Sequence, residues 1–174
     1  MSTTIIRPTG IERMFGQDDI IVSKTDPKGK LTYVNHVFLE VSGYVEHELL
    51  GKPHNIIRHP EMPRSIFKLL WETIEDKREI FAYVVNMAKN GDHYWVLAHV
   101  TPTFDARHNV IGFHSNRRCP KPAAVRTIER IYRQMLEEER KHSSPKEAMA
   151  VSTALLQSIL QEKKLSYEQF VFGI

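Results

Sequence analysis

Thiols are almost absent from this chain: Cys119 is the single cysteine in 174 residues. An internal disulfide framework is thereby excluded, and so are CxxC redox and zinc pairs. The scarcity fits a reducing compartment. Long apolar runs are missing too, so no bilayer-spanning helix is expected. Met1 to Pro8 lacks the apolar centre of a secretory signal. Together these absences give the expectation of a cytoplasmic chain. Charge of one sign is also lacking, with 24 Lys and Arg against 21 Asp and Glu. The signs interleave, as in Glu129, Arg130, Arg133, Glu137, Glu138, Glu139 and Arg140. A one-signed face for nucleic acid is not expected from such mixing. No GxGxxG loop occurs, which excludes a Rossmann dinucleotide enzyme. No nucleophile and base stand at a recognisable spacing, so no catalytic residue is assigned and an enzyme is not expected.

What is present belongs to an ordinary globular protein, 41% hydrophobic and 26% charged. Residues 1–17 carry no clear period and read as an arm or cap. Ile20–Thr25 and Leu31–Asn35 read as two strands joined by the turn Asp26-Pro27-Lys28-Gly29. Val37, Phe38 and Val41 share one face of a short helix that Gly43 can end. Val45–Leu50 is a second short helix. Ile66, Phe67, Leu70, Trp71 and Ile74 recur at helical spacing, predicting a helix from about Arg64 to Asp76 with Pro63 in its first turn. Strands are predicted over Ile80–Met87, Tyr94–Phe104 and Val110–Arg117, the first two joined by the hairpin signal Asn90-Gly91-Asp92. Two strands, a block of short helices and three more strands give an α+β fold, a five-stranded antiparallel sheet with short helices on one face.

Composition shifts from Pro122 onward. Val125, Ile128, Tyr132 and Met135 form a stripe on a helix reaching about Lys141. Ser144-Pro145-Lys146-Glu147 reads as a capping box opening a second helix with Met149, Ser152, Leu155, Leu156, Ile159 and Leu160 on its apolar face. Ser166–Phe172 reads as a short third helix. The expected organisation is an arm (1–17), a domain (18–119) and a C-terminal helical hairpin (120–174).

The richest chemistry lies in Pro53-His54-Asn55-Ile56-Ile57-Arg58-His59-Pro60-Glu61-Met62-Pro63. Three prolines stiffen this loop, and its planar nitrogen donors suit phosphates, carboxylates or a heteroaromatic edge. Each residue also has a plainer role. Arg58 can pair with Glu61 or Glu72, and Asn35 can cap the helix that follows it. His54 and His59 are five residues apart in a proline-broken loop, which does not fit a helical zinc site, so no metal ligands are assigned.

Tyr33-Val34-Asn35, Val41-Ser42-Gly43-Tyr44 and Lys89-Asn90-Gly91-Asp92-His93-Tyr94-Trp95 resemble the signatures of a PAS domain. More narrowly, Gly51-Lys52-Pro53-His54-Asn55 with Arg58-His59-Pro60-Glu61-Met62-Pro63 resembles the sensory domain of bacterial aerotaxis receptors. That resemblance covers about Asp18 to Arg118 and implies a PAS sensor holding FAD non-covalently and responding to redox state. It implies cofactor-binding roles for Asn35, His54, Arg58, His59, Glu61 and Asn86. Glu61 stands where the family usually has aspartate, and Ile80 where it has a strand tryptophan. A chemoreceptor, a histidine kinase or a second copy of the chain, bound through the helical tail, are all partners compatible with its amphipathic pattern. Two alternatives remain open. One is a haem gas sensor ligated by one of His93, His99 and His114, and the other is a cofactor-free interaction module. A light-driven cysteine adduct is disfavoured, because Cys119 follows the last strand.

Overall fold

The computed structural model describes residues 6–174; the first five residues of the expected arm lie outside them. Five strands form one antiparallel sheet: β1 (Ile21–Thr25), β2 (Leu31–Val34), β3 (Ile80–Met87), β4 (His93–Phe104) and β5 (Val110–Arg118). Their order is β2-β1-β5-β4-β3. The late strand β5 sits at the centre, paired with β1 and β4. Between β2 and β3 the chain runs through α1 (His36–Ser42), α2 (Glu46–Leu49), a 3-10 turn (His54–Ile57) and α3 (Arg64–Glu75). The predicted α+β fold is the observed one, with boundaries shifted by one residue at several ends.

Local chemistry explains the ends. Asn35 caps α1 by accepting from the Phe38 amide at 3.1 Å. Gly43 closes that helix in the left-handed region at φ 72°, which glycine adopts without steric cost. Pro63 precedes α3 as its cap residue rather than standing in its first turn. A proline side chain cannot accept a hydrogen bond, so α3 takes its cap from elsewhere. The Ser144 box is half-formed. Its hydroxyl accepts from the Glu147 amide at 3.4 Å, while the Glu147 carboxylate lies 3.9 Å from His142 Nδ1. A complete reciprocal box occurs instead between Ser166 and Gln169.

The N-terminal arm lies along the β3–β4 hairpin. The Thr9 amide donates to the Gly91 carbonyl at 2.9 Å, and the Arg13 amide to that of His93 at 2.7 Å. Arg13 Nε also reaches Asp92 at 3.1 Å. Any Cβ at Gly91 would overlap the Arg7 carbonyl oxygen, so the arm's close approach requires glycine there.

Helices α4 (Pro122–Arg140), α5 (Pro145–Lys163) and α6 (Tyr167–Gly173) share the main core with the sheet. Tyr132 of α4 donates to the Tyr83 carbonyl at 2.7 Å and lies 6.2 Å from Trp95, ring to ring. Tyr83 donates in turn to the Val171 carbonyl of α6 at 3.2 Å. Tyr83 and Trp95 point away from α3, because strand neighbours alternate faces. The tail thus covers the second face near β3 and then returns to α3. The buried Glu139 accepts from the Arg64 and Ser65 amides, both at 3.2 Å, and from the Ser65 hydroxyl at 3.3 Å. Ser65 also meets Ser152 of α5 at 2.7 Å. Glu139 is therefore the cap that Pro63 cannot be. Among the described residues, no helix is long and apolar enough to cross a membrane.

Candidate functional site

A cavity of about 550 Å³ lies between the sheet, the 3-10 turn and α3, inside the range of small-molecule and cofactor sites. Ser23 and Thr25, then Val84 and Asn86, then Ala98 and Val100 reach it from three strands. Phe113, Ser115 and Arg117 come from β5. Each set is every second residue, as the pleat requires. Phe67, Leu70, Trp71 and Ile74 supply the opposite wall from one face of α3. Trp71 meets Phe113 edge-on, 5.6 Å between centroids, closing one side with aromatic surface. The space suits a flat, largely apolar body whose rim carries polar atoms.

Three buried side-chain atoms lack a hydrogen-bond partner among the described residues: Thr25 Oγ1, Asn86 Nδ2 and Ser115 Oγ. All three residues line this cavity. An unmet buried polar group costs about 1–3 kcal/mol, so three in one cavity mark an expected set of ligand contacts. A carboxamide and two hydroxyls both donate and accept, which matches a ring edge of alternating carbonyl and N–H groups.

Arg117 adds charge. It is 4% exposed, and among the described residues no carboxylate lies within 4.0 Å of it. Its two terminal nitrogens donate to Ser23 Oγ at 3.1 Å each. One also donates to His54 Nε2 at 2.6 Å. Burial pushes the guanidinium pKa down to about 10, with the nearby Tyr94 acting the other way. His54 is pushed down to about 3, first by burial and then by Arg117. It is neutral at physiological pH and accepts at Nε2, which places its proton on Nδ1. The result is a buried cation held by neutral groups only, beside an open volume. Such an arrangement is costly unless an anionic or strongly accepting group joins it.

The His54 shift has a pH consequence. Its folded pKa lies below the ordinary 6.5, so the unfolded chain takes up the proton first. The stability tied to this group is complete above about pH 6.5 and is lost as pH falls from there toward 3. Burial moves His59 and His114 in the same direction. Urea unfolding should lose about 1 kcal/mol or more between pH 6 and 5. A free energy flat across that interval would contradict a buried neutral His54.

His54, Arg58 and Asn86 all line the cavity. Arg58 lies with its guanidinium 4.5 Å over the Phe67 ring and donates to the Met62 carbonyl at 3.3 Å. Neither Glu61 nor Glu72 pairs with it, and Glu72 instead bonds Lys68 at 2.8 Å. The other three residues lie outside the cavity wall. Asn35 spends its carboxamide on structure. Its oxygen accepts from Val22 at 2.9 Å as well as from Phe38, and its nitrogen donates to the Ile20 carbonyl at 2.7 Å. His59 is buried away from the cavity, accepting at Nδ1 from the Glu61 amide at 3.2 Å. Its ring lies 5.8 Å from that of His93. Glu61 is exposed. Ile80, at the position of the family's strand tryptophan, packs with Ile74, Val100 and Phe113 rather than lining the cavity.

Sequence reasoning missed Thr25, Ser115 and above all Arg117. Their signal was phase, since Ser115 and Arg117 alternate onto the same strand face as the buried Phe113. His99 and His114 alternate onto the other face, where His99 stacks on Phe81 at 4.0 Å and meets Glu79 at 2.7 Å. Cys119 also lies outside the cavity wall.

The profile of the PAS fold matches residues 31–117. Over 116 residues the chain is 36% identical to the aerotaxis receptor of Escherichia coli strain K12, covering 67% of this chain and 23% of the receptor. It is 27% identical over 92 residues to the nitrogen fixation regulatory protein of Klebsiella pneumoniae, covering 53% and 19% of the two chains. Identity to phototropin-2 of Oryza sativa subsp. japonica is also 27%, over 107 residues, 62% of this chain and 11% of that one. The chain thus spans less than a quarter of these curated relatives. Among solved structures, the dark state of the blue-light photoreceptor Aureochrome1 LOV aligns with TM-score 0.57 and 21% identity over 67% of this chain and 86% of that one. A PAS domain from Colwellia psychrerythraea aligns at 0.54 and 18%, over 58% and 86%. With its strand order, its helix-covered cavity and a profile match across half its length, the chain belongs to the PAS-fold family.

Proposed function

We propose that this chain is a redox sensor that holds FAD non-covalently in the cavity between its sheet and α3 and passes the flavin's state to a partner protein. The observation that carries this reading is the convergence of three unpartnered buried polar atoms and one uncompensated arginine on a single aromatic-walled cavity. Similarity to an aerotaxis receptor and to blue-light photoreceptors supports it. Flavin supplies a planar ring whose charge and protonation change with its redox state. Asn86, Ser115 and Thr25 orient the polar edge of that ring, while Phe67, Trp71 and Phe113 exclude water from its faces. Arg117 favours added negative charge at the cavity, and neutral His54 fixes the guanidinium by accepting from it. Asn35 acts at one remove, tying β1 to α1.

A haem reading finds less support. Among the described residues, His54 is the single histidine on the cavity wall, and its Nε2 already accepts from Arg117. The relay proposed here starts at Ser115 and Arg117. Strand β5 runs through Cys119–Lys121 into α4, and Glu139 of α4 caps α3, the helix forming the opposite cavity wall. Both cavity walls therefore meet in the tail, where a small change of spacing can be read by repacking. The recipient is proposed to be a signalling protein of the chemoreceptor or histidine-kinase type. The absorption spectrum of the purified chain tests the cofactor. Flavin bands, with FAD released on unfolding, are expected. A Soret band, or a colourless chain that takes up no added flavin, would overturn the reading.

A further inference from the structure

A second cavity, of about 310 Å³, adjoins the first and is lined by Arg58, Met62, Arg64, Glu139, Arg140 and His142 among others. Arg58 and Arg64 line both cavities, so the two spaces meet at these side chains. Their chemistry differs sharply. The inner one sets polar and basic side chains, Arg117 among them, around a largely aromatic and aliphatic wall, whereas the outer one brings three guanidinium groups together against one carboxylate. That carboxylate, Glu139, is already committed to the Arg64 and Ser65 amides and the Ser65 hydroxyl. Among the described residues, no carboxylate lies within 4.0 Å of the Arg58, Arg64 or Arg140 side chains. Arg58 is stacked on Phe67, which restricts its guanidinium, and three like charges share one cavity with a single carboxylate, leaving an excess of positive charge there.

Resting on the flavin reading, we propose that the helical hairpin completes the cofactor site: Arg140, with His142, joins Arg58 and Arg64 to hold the diphosphate of the dinucleotide in the outer cavity. A ring-and-linker ligand is what the two spaces together fit. The flat apolar part fills the inner space, and the doubly anionic linker crosses the shared arginines into the outer one. Guanidinium groups fork onto phosphate oxygens and remain charged beside them. Arg140 ends α4 and His142 lies in the α4–α5 connection, so cofactor affinity and docking of the hairpin are one linked equilibrium. Whatever factor the docked hairpin adds to FAD affinity, bound FAD returns to docking.

The test compares FAD with riboflavin, which carries the ring and no phosphate, by titrating each into the flavin-free full chain. Arg140→Glu and Arg64→Glu change exposed side chains, and circular dichroism verifies that each variant folds. Each is expected to weaken FAD by about tenfold or more. For Arg140→Glu, riboflavin affinity should change by less than about twofold, because Arg140 lines the outer cavity and not the inner one. Arg140→Lys should recover part of the loss. Unchanged FAD affinity in both folded glutamate variants would overturn the proposal while leaving the flavin reading intact. Parallel losses of FAD and riboflavin in Arg140→Glu would overturn it as well, since that pattern belongs to a structural role. A wild-type chain that binds neither ligand overturns the flavin reading and this proposal together.

Discussion

Replacing Arg117 with methionine is expected to stabilise the flavin-free chain by about 1–3 kcal/mol while weakening flavin binding roughly a hundredfold. Both effects have one origin. The guanidinium is buried at 4% exposure, and its partners are a serine hydroxyl and a neutral imidazole. Neutral partners offset only part of the cost of desolvating a cation. Methionine fills similar volume, adapts its shape and carries no charge to desolvate. Ser23 and His54 are not stranded by the change, because they lie 3.2 Å from one another and can bond directly. Removing the like charge beside His54 also relaxes one of the causes that push its pKa down. What the methionine chain loses is the cavity's cation. Urea unfolding without flavin and fluorescence titration with FAD measure the two halves separately. A methionine variant that is less stable and binds flavin normally would make Arg117 a structural residue.

Glu139→Ala carries the second large effect. This carboxylate accepts three hydrogen bonds at the start of α3, where two amides would otherwise face a buried joint without a partner. Bonds to a charged acceptor contribute about 1.5–3 kcal/mol each and do not add fully, and loss of a cap alone costs about 0.5–2 kcal/mol. A destabilisation of about 3 kcal/mol is expected in urea. Contact between α3 and the tail would persist through Ser65 and Ser152. Faster limited proteolysis at the connection between α4 and α5 should therefore accompany the loss, showing a loosened hairpin on a folded sheet. A change below about 0.5 kcal/mol, the size typical of an unremarkable surface substitution, would remove Glu139 from the proposed relay.

The sheet was legible because its strands alternate and its turns carry their own chemistry, as at Asp26–Gly29 and Asn90–Asp92. Helix α3 was legible from five apolar residues in one phase. The site was legible only in part. The loop from Pro53 to Pro63 advertises donors but not their directions. His54 and Arg58 turn into the cavity, while the turn at His59–Met62 carries His59 and Glu61 away from it. Asn35 satisfied both its readings' chemical demands, and the local one took its amide because backbone groups at Ile20, Val22 and Phe38 lie within reach. Arg117 and Glu139 were hidden by ordinary surroundings, the end of a strand and a run of charges. Both are nevertheless in phase with buried neighbours: Arg117 with Phe113 and Ser115, Glu139 with Ile128, Tyr132 and Met135. A charge in phase with an apolar stripe is the signal that finds them. What the tail stripe packs against has no local signal, since an apolar face carries no address.

Equilibrium titration of the flavin-free chain with FAD bears most directly on the proposal that the cavity is a flavin site. Saturation at one equivalent, with a dissociation constant of about 1 μM or tighter, is the expected result. A chain that is folded by circular dichroism and shows no saturable binding up to hundreds of times that concentration would contradict it.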